Sequence, residues 1–136
     1  MSTSGCKPGM STFAGYRVKA NAVIVKGVGV FLSAEGEIDV AVANSKVIGV
    51  AAESVTGNAS GTSQCEVQLA DGGTARVKAS GTATAGEYAI CGTDGFENQT
   101  LGGGNTVKYL VGQFLESGID NDYVECRLNA FAAGAA

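Results

Sequence analysis

The amino-acid sequence predicts a mainly β protein, a small antiparallel barrel or sandwich with a flexible N-terminal arm, and three observations carry that expectation. Glycine is abundant and proline nearly absent, at 21 and 1 of 136 residues; so much glycine suits turns, bulges and close strand approach better than helix interiors. Short β-branched runs separated by turn residues fill the chain from Ala22 onward, which is the rhythm of strands. Two stretches recur in the same order: "VIGVAAES" (47–54) is echoed by "LVGQFLES" (110–117), and "CEVQL" (65–69) by "VECRL" (124–128). The echo points to two pseudo-repeated halves built on one plan.

Residues 1–20 read as an extended arm in which Phe13 and Tyr16 are the large anchors, because such a polar, small-residue segment orders by docking on something. Residues 21–130 form the β domain, and 131–136 a flexible tail. "NAVIVKGVGVFL" (21–32) and "GEIDVAVAN" (36–44) are strand-like, with "SAEGE" (33–37) as the turn between them. In the second run Ile38, Val40 and Val42 share one face, and Asp39 and Ala41 the other.

"CEVQLADGGTARVKASG" (65–81) reads as a hairpin. Cys65, Val67 and Leu69 point inward, and after Asp71-Gly72-Gly73 so do Ala75, Val77 and Ala79, while Arg76 and Lys78 face out. This pairing places Glu66 near the two cations. "TVKYLVGQFLES" (106–117) has apolar residues at helical spacing, yet Gly112 in its middle and the echo with residues 47–54 favour a strand. In "DYVECRLNAF" (122–131), Val124, Cys126 and Leu128 face inward, and Tyr123, Glu125 and Arg127 outward.

Composition narrows function. A formal net charge of −4 gives no basic stripe with which to displace counterions from nucleic acid. No apolar run approaches the ~20 residues that span a bilayer. The chain has no His, and so lacks the usual general base near neutral pH and the commonest metal ligand. Cys6, Cys65, Cys91 and Cys126 show no C-x-x-C spacing, so buried, reduced thiols are expected rather than zinc or a disulfide framework. Asp94, Asp120, Asp122 and Glu125 do not follow a calcium-loop pattern. Glu35, Glu37, Glu53 and Glu116 could supply a carboxylate pair, but nothing in the sequence brings two of them together. No catalytic residue, cofactor site or metal site is expected.

The arm, "KVIGVA" (46–51), "VKASGTATAGEYA" (77–89), "VGQFLESG" (111–118) and "YVECRL" (123–128) together resemble the small capsid decoration, or cement, proteins of tailed bacteriophages, over residues 15–129. The resemblance implies a β-rich, non-enzymatic virion protein, made in the host cytoplasm and bound to the outer surface of the expanded shell. It implies the major capsid protein as partner and neighbouring copies of the chain itself, a homo-oligomer with a trimer favoured over a dimer. The longer arm and the four cysteines depart from that pattern, and no family residue role transfers. The candidate partner-binding residues are Phe13, Tyr16 and Arg17 on the arm and Arg76 and Lys78 on the hairpin. The alternative is a tail, fibre or surface module that binds carbohydrate through Tyr88, Phe96 and Tyr109.

Overall fold

A computed structural model describes residues 12–102 and 106–134, and the chain there is all β. Its first seven strands are β1 (Phe13–Val18), β2 (Val23–Ile24), β3 (Gly29–Ala34), β4 (Glu37–Val40), β5 (Gly49–Ala51), β6 (Val55–Thr56) and β7 (Gln64–Leu69). Five more follow: β8 (Asp71–Lys78), β9 (Tyr88–Cys91), β10 (Phe96–Gln99), β11 (Val107–Phe114) and β12 (Tyr123–Gly134).

Strands β1-β4-β3-β5-β7 close into a barrel. Its seam is parallel, with Val18 opposite Ile38, and every other pair is antiparallel. Strands β10-β9-β11-β12-β8 form a second five-stranded sheet, whose outer strands meet at a single parallel bridge between Ala79 and Phe96. Period-two alternation fills both interiors. Val18, Ile24, Val30, Ile38 and Val67 form the first core, and Phe96, Val111, Phe114, Val124 and Leu128 are central to the second.

The two halves repeat in register as well as in sequence. Gly49 lies opposite Leu69 and Gly112 opposite Leu128; one step on, Val50 faces Gln68 and Gln113 faces Arg127. A side chain at Gly49 would strike the Gln68 carbonyl, and one at Gly112 the Arg127 carbonyl, so each half needs glycine at its tightest strand crossing. The echoed Glu-Ser pairs do the same work twice. Glu53 accepts the Glu66 N–H at 2.9 Å, and Glu116 the Glu125 N–H at 2.9 Å. Ser54 Oγ accepts the Lys26 N–H at 2.9 Å, and Ser117 Oγ the Ala85 N–H at 3.0 Å. Gly27 and Gly86 follow those loops at φ 87° and 92°, a left-handed turn that glycine adopts without steric cost.

The halves are stitched together. Ala41, Val47 and Val50 come from the first half and pack in the second core. Asn44 donates its backbone N–H to the Cys91 carbonyl at 3.1 Å. Its side chain acts as a strand in miniature, donating to the Val107 carbonyl at 3.2 Å and accepting the Tyr109 N–H at 2.9 Å.

The fold corrects several expectations. β7 and β8 are successive but not a hairpin: both edges of β7 are taken by β1 and β5, so the chain crosses at Ala70 and β8 pairs with β12. Residues 13–18, placed in the arm, form β1, since Ala14, Tyr16 and Val18 face inward and both of its edges are paired, to β4 and β7. Residues 1–11, including Cys6, and 135–136 lie outside the described residues, while 131–134 of the expected tail continue β12 alongside β11. Val42 is 61 % exposed and Ala41 buried, because β4 ends at Val40 and the chain then turns its other face to the second core. Residues 107–114 are strand, in line with the echo rather than the helical spacing.

Candidate partner-binding groove

Alternation along β1 turns Phe13, Gly15 and Arg17 outward. On β8 it turns out Thr74, Arg76 and Lys78, and on β12 Tyr123 and Arg127. The crossing at Ala70 then sets β8 and β12 beside the β1–β7 face, and a shallow groove of about 560 Å³ opens between the halves. Phe13, Lys26, Gln68, Arg76 and Tyr123 line it. Phe13 is 52 % and Tyr123 41 % exposed, so two partly exposed aromatic rings stand beside two cations. Aromatic and arginine side chains in this arrangement are the groups that carry energy in protein interfaces.

The groove walls are held from behind. Tyr123 donates its hydroxyl to the Lys26 carbonyl at 3.1 Å, and Gln68 Nε2 donates to the Thr74 carbonyl at 2.8 Å. Arg76 donates to the Tyr123 carbonyl at 2.6 Å and pairs with Glu116 at 3.2 Å and Glu125 at 3.7 Å. A guanidinium fixed at three points presents a set geometry to an incoming acceptor.

Of the five residues expected to bind a partner, Phe13 and Arg76 meet in this groove. Tyr16 is half-buried against the first core. Arg17 lies over the parallel seam, paired with Glu37 at 3.5 Å and donating to the Glu35 carbonyl at 3.2 Å. Lys78 pairs with Asp94 at 3.0 Å. Arg76 does not meet Glu66, contrary to the hairpin reading; its acids come from the β11–β12 side. Lys26 and Tyr123 reach the groove only through the crossing, which local sequence signals do not carry, although alternation along β12 does turn Tyr123 outward.

The carbohydrate face does not assemble. Phe96 is fully buried in the second core, and Tyr109 lies beneath the Lys46 ammonium at 5.2 Å from the ring centre. Tyr88 packs edge-to-face on Phe131 at 5.6 Å. Burial pushes the Cys65 thiol up to about 11, with the Glu53 charge adding to it. Burial also pushes Cys91 and Cys126 up to about 12. All three therefore remain protonated thiols, the poorly nucleophilic form, at neutral pH. Among the described residues no three His, Cys, Asp or Glu side chains gather as metal ligands. Asp120 accepts the Gly81 N–H, tying two loops distant in sequence, and Asp122 accepts the Ile119 N–H, closing a turn.

No family model matches the sequence. No curated protein matches it either. Among solved structures the chain is similar to the N base of head fiber gp8.5 of bacteriophage phi29, at 18 % identity and a TM-score of 0.62, over 88 % of this chain and 95 % of that one. At that identity the likeness establishes the fold, the two-part β architecture described above.

Proposed function

We propose that the chain is a structural protein of a tailed-phage virion that sits on the outside of the head and binds the major capsid protein through the groove between its halves. The observation that carries this reading is the likeness to a head fiber base, which spans nearly the whole of both chains. The chemistry of the groove is consistent with it: exposed Phe13 and Tyr123 beside Lys26 and Arg76 make an adhesive, shallow surface rather than an enclosed reaction chamber. Such a role asks for no catalysis. A standard interface of about 800 Å² per partner, multiplied over a lattice of shell subunits, gives strong retention from modest single contacts.

The test is co-sedimentation of the full chain with expanded, DNA-free heads of the phage that encodes it. The wild-type protein should pellet with the heads and saturate. Phe13→Ala and Arg76→Ala should each weaken binding by about tenfold, as loss of an interface anchor does. A chain that stays in the supernatant, and is absent from purified virions by mass spectrometry, would refute the proposal.

A further inference from the structure

The internal repeat puts unlike residues at like positions, and one such difference leaves a binding slot open. In the second half Arg76 on β8 faces Glu125 across the β8–β12 pair, and its guanidinium lies between Glu125 and Glu116. The first half builds the same acids. Glu66 on β7 holds the place of Glu125, and Glu53 holds that of Glu116, accepting the Glu66 N–H as Glu116 accepts the Glu125 N–H. The residue facing Glu66 on β1, where Arg76 stands in the other half, is Gly15.

Neither Glu53 nor Glu66 has an ion-pair partner among the described residues, and both are exposed. The space above Gly15 is open: an added Cβ would meet only Gln64 Oε1, at 3.9 Å. The second half thus shows, with the same two acids on the same scaffold, what this arrangement holds, namely one guanidinium. In the first half no described residue of the chain supplies that group.

We propose that the Glu53–Glu66 slot receives Arg127 of a second copy of this chain. The chain has three arginines. Arg17 and Arg76 are paired with acids of their own chain, whereas Arg127 is exposed on β12 with no ion pair among the described residues. A planar fork suits two carboxylates better than a lysine ammonium does. An exposed ion pair alone contributes little, and here apolar rings flank both halves of the contact. Phe13, two residues from Gly15, is 52 % exposed, and Phe131, which lines the same hollow as Arg127, is 37 % exposed. The slot and Arg127 lie on different halves, so the contact is head-to-tail, and copies joined this way close into a ring or extend as a string. This inference shares Phe13 with the groove proposed to bind heads, but it does not depend on that attachment and is tested without heads.

Sedimentation velocity of the full chain over about 1 µM to 1 mM, at low and high salt, should show salt-sensitive association. Three variants should each weaken it by tenfold or more: Glu53→Gln with Glu66→Gln, Arg127→Gln, and Gly15→Arg. The last fills the slot from within and should leave the melting temperature unchanged or higher, which separates a blocked site from a damaged fold. Mixing the double glutamate variant, which keeps Arg127, with Arg127→Gln, which keeps the slot, should restore a single contact and give a mixed dimer. A wild-type chain that is monomeric throughout, or association that survives all three variants, would overturn the proposal.

Discussion

Replacing Gly49 or Gly112 by alanine tests whether the two halves are built on one plan at atomic detail. Each glycine lies where a Cβ would overlap a main-chain carbonyl of the neighbouring strand, Gln68 in one case and Arg127 in the other. Backbone cannot rotate away as a side chain can, so the strands must part by about an ångström, which strains the adjoining ladder hydrogen bonds. Overpacking of this kind costs about 1–3 kcal/mol, and each weakened ladder bond adds about 1 kcal/mol. The expected loss is therefore about 2–4 kcal/mol in either half, or roughly 6–14 °C in melting temperature for a chain of this length. Gly15→Ala is the control: its Cβ meets open space at an ordinary backbone angle, and by restricting the unfolded chain it should be neutral or stabilising by up to about 1 kcal/mol. Urea unfolding and calorimetry on the three variants would measure this. If Gly49→Ala or Gly112→Ala proved no worse than Gly15→Ala, the argument from close strand approach would fall.

Asn44→Ala should cost about 1–2 kcal/mol, since it removes both side-chain bonds to β11 and strands a ladder group; amide exchange at Tyr109 should speed up, and unchanged exchange there would refute the stitching role. The described thiols should resist alkylation at pH 8 in the folded protein and react fully in denaturant. Their folded pKa values lie above the ordinary thiol value of 9.0, so the stability their burial contributes is fully present below pH 9. It is lost as pH rises towards 11–12, where the unfolded chain releases these protons first; pH-dependent urea midpoints should therefore fall above pH 9, and flat midpoints there would count against burial. Arg76→Ala should leave stability within about 1 kcal/mol, because its ion pairs are exposed, while reducing head binding; a large loss of stability would mean that the residue is structural.

Which residues face inward is legible in the sequence except at Ala41 and Val42, beyond the end of β4; which strands are neighbours is not. Val124, Cys126 and Leu128 are buried, and so are Cys65, Val67 and Val77, as period-two alternation requires whichever strand lies alongside. The DGG run looks like a tight turn, and local signals cannot reveal that both edges of β7 are already occupied by strands that begin 51 and 15 residues earlier, β1 at Phe13 and β5 at Gly49. The same limit hid the groove. Phe13 and Arg76 were each identified, but only the crossing at Ala70 makes them neighbours and adds Lys26 and Tyr123. The echo of residues 47–54 in 110–117 was visible because glycine, glutamate and serine recur by letter. The match of Gly15 with Arg76 has no letter in common and emerges only from register.

Ala41, Val47 and Val50 belong to one half by connectivity and to the other by packing. A chain severed at Ala70 would leave the downstream piece with three holes in its interior and the upstream piece with three oily side chains in water. The two units therefore share an interior, so that removing either one would leave the other incompletely packed. Parting them in the middle would mean unpacking that shared interior, not merely bending a linker.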